Sequence, residues 1–393
     1  MENKQENTVK TKIATKSATM DTRELRESLQ RVNCIPRHRE LTVLTPAMIE
    51  FAHRKAIITT TDLERVIKTE INSTNSEDFS ILLPRKTTEK FLTGNNGKVS
   101  ITQDDNHQLS TLCRDGIGDL NLITPAITDF PPLPPMPDNL EWHSIDSKWF
   151  CSMLRIVSTA CASELSRPVL SGVAFNDGKI AAADGFRLIV FRDNRLAFGL
   201  DEKQAIIPLE TTILMNKLFR KEETIEISFK SKEETSLGTT RVTPTNVYFK
   251  SGNTLMSSTL IQGNYPAYEK LIPDQFNCKA SFSAPLLAQR LKMIDDVAIN
   301  SGIIRYIFET SELGEQVCSL SATIEDESKY HLSCPVKFEG SEVKIAFNYK
   351  YVMEALKPFS MCALEITAPS APGKLTGDIE GLIVVIMPMF VQW

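Results

Sequence analysis

Ala183-Asp184-Gly185-Phe186-Arg187-Leu188 repeats in outline an earlier stretch, Thr60-Thr61-Asp62-Leu63, with the two aspartates 122 positions apart. Each alone is a strand running into a turn. A pattern that recurs at a long, steady interval marks a repeat architecture, and further copies follow. A strand running straight into a short amphipathic helix occurs three times: Ile81-Leu82-Leu83-Pro84 into Lys90-Phe91-Leu92, Ile206-Ile207-Pro208 into Met215, Leu218 and Phe219, and Ile345-Ala346-Phe347-Asn348 into Val352, Met353 and Leu356. Positions 84, 208 and 348 lie 124 and 140 residues apart, and the aromatic-Pro pairs Phe130-Pro131 and Tyr265-Pro266 lie 135 apart. These intervals divide 393 residues into three units of about 131.

Each unit opens with a predicted helix. Leu25, Leu29 and Val32 mark the first, Ile145, Trp149, Met153 and Ile156 the second, and Leu287, Leu291, Ile294 and Val297 the third, all at spacings that put apolar side chains on one face. Between the helices, short β-rich runs are broken by turn signals such as Asn176-Asp177-Gly178 and Ser251-Gly252-Asn253. Two helices and about eight short strands per unit make an α+β domain with helices packed on an antiparallel sheet. The expected boundaries are 20–137, 138–273 and 274–393, after a disordered Lys/Thr-rich tail over 1–19, with Met20 an alternative start. The Pro-rich run from Phe130 to Pro137 reads as the first linker, and the second lies near Ile272 to Lys279.

Composition narrows the function. A hydrophobic share of 42% is ample for real cores, and a net charge of −5 is not that of a wholly basic nucleic-acid binder. Eight cysteines are scattered with no CxxC pair and no histidine at metal spacing, which points to free thiols in a reducing cytoplasm and to no metal or cofactor. No apolar run approaches the roughly 18 residues that a membrane span needs. Charge is unevenly shared, however. The predicted helices, 21–32, 84–92, 144–163, 208–221, 284–297 and 348–359, hold fifteen Lys/Arg against nine Asp/Glu, so the rest of the chain is acidic. Lysine also serves helix propensity and solubility, but segregation of sign suits helices that face a polyanion.

Arg167-Pro168-Val169-Leu170-Ser171-Gly172-Val173, followed by Ala183 to Leu188, resembles the second domain of the bacterial DNA polymerase III beta subunit family, the ring-shaped sliding clamps. So does Tyr265-Pro266-Ala267-Tyr268-Glu269-Lys270-Leu271-Ile272-Pro273. Phe347-Asn348-Tyr349-Lys350-Tyr351 and the terminal Met387-Pro388-Met389, which closes the strand Val384-Val385-Ile386, resemble the third. The resemblance implies a non-enzymatic processivity factor that encircles duplex DNA as a head-to-tail homodimer, without reading its sequence. It also implies a groove for short linear motifs from the polymerase III alpha subunit, the clamp loader and repair polymerases. Carried over by position, the groove comprises Leu170, Ala183, Gly185, Phe186, Arg187, Leu188, Pro266, Lys270, Leu271, Asn348, Tyr351, Ser370, Pro372, Val385, Met387, Pro388 and Met389. The DNA-facing set is Arg23, Arg26, Arg37, Lys86, Lys148, Arg155, Lys217, Arg220, Lys221, Lys292, Lys350 and Lys357, with Lys148/Arg155 and Lys350/Lys357 each at i, i+7 on one helix face. The dimer seam would join a strand edge near Leu120 and Leu122 to a helix near Met293 and Val297.

The chain departs from the family in several places. Ala183 and Phe186 stand where Thr and His are usual, so a more apolar pocket floor is expected. Residues 37–50 lack the family's Arg-Pro-x-Leu-Pro run, and the tail after Met389 extends past the usual end, where it could fold over the groove. Asp295 and Asp296 sit at the expected seam and would weaken it. Asp62 and Asp184 are no catalytic dyad, because the repeat puts them in different domains. With no GxGxxG, phosphate-binding glycine loop or GxSxG present, the competing reading is a clamp-fold peptide scaffold that no longer encircles DNA, or a specialised second clamp.

Overall fold

A computed structural model describes residues 16–35, 41–94, 97–104, 109–164, 166–200, 203–236, 239–324 and 328–393. The chain forms two compact units. One takes the residues up to 147 with 217–228 and 246–259; the other takes 148–216, 229–245 and 260–393. Along the described sequence, eight strands and two α-helices precede residue 130, eight strands and two α-helices lie between 143 and 259, and nine strands and three α-helices follow.

In the first unit, helix α1 (Thr22–Val32) starts where the Asp21 carboxylate accepts from Arg23 N (2.8 Å) and Glu24 N (3.0 Å), an N-cap worth about 1 kcal/mol. Its predicted stripe Leu25, Leu29 and Val32 is fully buried. Helix α2 (Arg85–Phe91) buries Arg85, whose Nε and Nη1 donate to the carbonyls of Thr45 (2.7 Å) and Ile35 (3.1 Å). The sheet begins at the edge strand Gly118–Ile123 and runs through Leu109–Arg114, Lys98–Gln103, Lys16–Asp21 and Arg65–Asn75 to Thr254–Thr259. Lys16–Asp21 corrects the expected tail over 1–19. Backbone groups that point alternately to either side let this strand pair with both 98–103 and 73–75, so residues 16–19 are part of the sheet.

The second unit carries α3 (Ser147–Ser158) from residue 148, α4 (Leu209–Phe219) up to residue 216, and the whole of α5 (Ala284–Lys292), α6 (Asp295–Ser301) and α7 (Tyr349–Leu356). Two expectations need revision. The predicted helix 144–163 is shorter, because Ile145 lies in the strand His143–Asp146 opposite Ile225. Of the expected stripe, Ile145 and Met153 are buried while Trp149 and Ile156 are half-buried, and Phe150, Leu154 and Val157 are the residues fully buried on α3. The predicted helix 284–297 breaks at Met293–Ile294. Asp295 and Asp296 then occupy the first turn of α6, where the helix dipole favours negative charge.

Nine strands of this unit form one sheet, in the order Ala205–Pro208, Gly172–Asn176, Lys179–Ala183, Arg187–Arg192, Leu382–Ile386, Gly373–Gly377, Met361–Ile366, Cys278–Ser283 and Lys337–Gly340. The seam between the second and third repeats is a strand pair, Arg187↔Ile386 through Phe191↔Leu382. A separate four-stranded sheet runs Ser328–Pro335, Gln316–Ile324, Ile303–Thr310, Val343–Asn348.

The repeat is visible atom by atom in the two turns first read from the sequence. Asp62 Oδ1 accepts from Arg65 N (2.7 Å) and Oδ2 from Arg65 Nε (2.9 Å). Asp184 binds Arg187 in the same way, at 2.9 and 3.0 Å. The residue after each aspartate is left-handed, Gly185 at φ 92° and Leu63 at φ 77°. Glycine takes that conformation freely, whereas leucine is strained there. The loop carrying Arg37, His38 and Arg39 lies outside the described residues.

Candidate peptide-binding groove

The strand pair at the repeat seam assembles the site. Leu188 and Val385 face each other across it and enter a buried apolar cluster with Leu170, Ala174, Ala181, Val190, Ile206, Tyr265 and Tyr268, against which Ala183, Val169 and Ile272 are partly buried. Tyr265 anchors this floor by accepting a hydrogen bond from Ala183 N at its hydroxyl (2.8 Å). Burial raises the Tyr265 phenol above its ordinary range and pushes Tyr268 up to about 12, with Glu269 adding to the latter, so both stay neutral near pH 7. Nearby Cys161 is likewise pushed up to about 12, first by burial and then by Glu210, which makes it an inert core thiol.

Above the buried floor stands an exposed apolar lip. Phe186 is 60%, Leu271 54% and Met387 42% exposed, while Leu170, Leu188 and Val385 are all below 5%. Met387 N donates to the Phe186 carbonyl (2.8 Å), holding the C-terminal segment against the turn. Phe186 stacks on Tyr351, with ring centroids 6.4 Å apart and an interplanar angle of 24°. An adaptable methionine and a stacked aromatic pair at the rim suit capture of an apolar side chain.

Two expected peptide ligands are already engaged. Arg187 is ion-paired with Asp184 and Glu354, donates to the Thr159 carbonyl, and lies 4.5 Å over the Tyr351 ring. It clasps the turn to Thr159, just past the end of α3, and to Glu354 and Tyr351 of α7, so each of its three nitrogens already has an acceptor. The Asn348 carboxamide accepts from Lys350 N (3.0 Å) and Tyr351 N (3.4 Å), so it is the N-cap of α7. Gly185 serves through its backbone angle, and a Cβ there would meet Arg167 Nη1 at 3.4 Å. Pro266 stays exposed and its carbonyl accepts from Tyr268 N, opening the 3-10 turn Tyr268–Leu271 that carries Lys270 and Leu271 outward. The pairing Gly373↔Ile386 sets Pro372 next to the strand end at Met387, with Ser370 exposed beyond it. Pro388 is half-buried, and Met389 N donates to the Ala346 carbonyl (2.7 Å).

Glu354, Thr159, Tyr265 and Tyr268 were not foreseen as site residues, although the last two flank Pro266 in the quoted motif. Glu354 gave no signal, because its partner lies 167 residues away. The tail, which could have folded over the groove, instead carries Trp393 to Lys344.

The basic set is mostly solvent-facing: Arg23, Lys86, Lys148, Arg155, Lys217, Arg220, Lys221, Lys292, Lys350 and Lys357 are exposed. Arg26 is half-buried, and Arg23 is ion-paired with Glu27 at 2.8 Å, so both offer less free charge than expected. Arg37 lies outside the described residues. Of the expected seam residues, Met293 is 53% exposed and Leu120 half-buried, but Leu122 (9%) and Val297 (3%) are covered within the chain itself. The exposed apolar residues near them are Ile123 (86%), Leu109 (42%) and Ile299 (52%).

Comparison with known proteins agrees with the sequence reading. The family model described as DNA polymerase III beta subunit, central domain, matches residues 144–267, and the model for the C-terminal domain matches 269–389. The beta sliding clamp of Chlamydia muridarum is 24% identical over 373 residues, covering 93% of this chain and 96% of that one. The beta sliding clamp of Staphylococcus aureus is 27% identical over 343 residues, covering 83% and 85%. In fold, the chain is similar to the DNA polymerase sliding clamp of Bacillus subtilis, with a TM-score of 0.81 at 21% identity over 96% of this chain and all of that one.

Proposed function

The chain belongs to the DNA polymerase III beta subunit family, the sliding clamps, and on that premise we propose that it closes around duplex DNA as a head-to-tail dimer and tethers replication factors through the groove at Leu188 and Val385. It is a processivity subunit rather than an enzyme. The observation that carries the peptide reading is the buried floor of Leu170, Leu188, Val385 and Tyr265 beneath an exposed lip of Phe186, Leu271 and Met387. Short motifs from the polymerase III alpha subunit, the clamp loader and repair polymerases are its expected occupants in the cytoplasm. Three clamp domains, with the expected bounds 20–137, 138–273 and 274–393 and the first extended back to Lys16, would together make half a ring, so two chains would close it, using the edge strand Gly118–Ile123 and the region of Met293 and Ile299. Exposed lysines and arginines on the helices would meet phosphates without reading bases. Family membership favours this over a scaffold that has left DNA.

Titration of a fluorescent clamp-binding peptide tests the groove. Met387→Ala removes an exposed lip residue without opening the core and should weaken binding by about 1–3 kcal/mol. Leu188→Asp is unsuited to the test, because it would bury a charge at a 3% exposed position and unfold the site. Equal affinities for the wild type and Met387→Ala would remove the groove from this location.

A further inference from the structure

Strand Val343–Asn348 ends the four-stranded sheet, paired with Ile303–Thr310 on one side. Its other side meets the C-terminal residues as they leave the groove lip. The bond from Met389 N to the Ala346 carbonyl (2.7 Å) shows that the backbone groups of Ala346 turn toward the tail. In an extended strand, those of Lys344 point the same way. Farther along, Arg305 Nη2 reaches the Gln392 carbonyl (3.5 Å) and Lys344 Nζ lies 6.0 Å from the Trp393 ring centroid. Trp393 lines a cleft with Val343, Lys344, Thr367, Ala368 and Pro369.

These contacts are sparse. Phe390 is 88% exposed and Trp393 52%. A segment with so little buried surface opens locally at low cost. What it uncovers is a sheet edge with outward backbone donors and acceptors, the ordinary receptor for an added strand.

We propose that this edge is a second peptide site, closed in cis by residues 389–393, for an extended segment whose aromatic side chain takes the cleft now lined by Trp393. The tail starts at Met389, the last residue of the groove, so a partner strand leaving the lip at Met387 runs directly onto this edge. The recognition is by backbone pairing along Lys344 and Ala346 plus one aromatic anchor beside the Lys344 ammonium. It is therefore distinct from the side-chain pocket over Leu188, and it holds whatever the groove itself binds.

The probe is a fluorescein-labelled Met-Phe-Val-Gln-Trp peptide, titrated by anisotropy against the full chain and a chain ending at Pro388, which frees the Ala346 carbonyl from Met389. The shortened chain should bind about tenfold more tightly, because the tethered copy no longer competes. Replacing the probe's Trp with Ala should abolish the gain. Met387→Ala in the shortened chain should leave probe binding unchanged, which separates this site from the groove. In the full-length chain, Lys344→Glu should speed carboxypeptidase release of Trp393 several-fold without touching the sheet pairing. Equal probe binding to both chains, no binding to the shortened one, indifference to the probe's Trp, loss of binding with Met387→Ala, or an unchanged release rate would each overturn the proposal.

Discussion

Arg187 and Arg65 occupy equivalent turns but carry different loads. Both bind the aspartate three residues back in the same geometry. Arg187 additionally holds Glu354, the Thr159 carbonyl and the Tyr351 ring, with only 10% of its side chain exposed. Removing it strands two carboxylates and a carbonyl, so Arg187→Ala should cost about 1–3 kcal/mol in urea unfolding, and clearly more than Arg65→Ala. Equal losses would mean that the contacts to Glu354 and Tyr351 contribute nothing. The same residue shows where reading a sequence stops. The Asp-x-x-Arg turn is local and legible from its spacing, but whether the guanidinium is free depends on α7, which is distant in the chain.

At the scale of elements, the repeat made the strand-to-helix joints legible, because their apolar runs and turn residues follow local rules. The lengths of helices were less so. Ile145 fits an α3 stripe by spacing, yet pairing with Ile225 draws it into a strand, and Phe150, Leu154 and Val157 join Met153 on the buried face. The break between α5 and α6 had a local sign in Asp295-Asp296, whose charge suits a helix start better than a helix middle. Asn348 is expected at the groove, and its carboxamide oxygen also caps α7. Asn348→Ala should therefore lower stability by about 1 kcal/mol, while Asn348→Asp, which keeps the acceptor, should hold most of it. Urea midpoints of the two variants decide this: loss with both, or with neither, would contradict the cap.

For the whole molecule, charge and exposed apolar surface point the same way. A chain of net charge −5 places exposed lysines and arginines on its helices, including Lys148, Arg155, Lys350 and Lys357, while the rest of its sequence is acidic. Ile123 and Leu109 lie opposite each other at the edge of the first unit's sheet, and Met293 and Ile299 flank the start of α6 and its outer turn, all exposed. The sequence did not show which of these positions reach solvent, because a strand hides alternate side chains: Leu122 faces in where Ile123 faces out. The central claim is topological enclosure, and a ring and a surface binder differ in how they leave DNA. The most direct measurement loads the protein onto nicked circular DNA, cuts the circle once with a restriction enzyme, and follows retention by gel filtration in moderate salt. A closed clamp should stay on the circle and run off the linear form within the dead time of the column. Equal retention on both, or equal loss from both, would contradict encirclement.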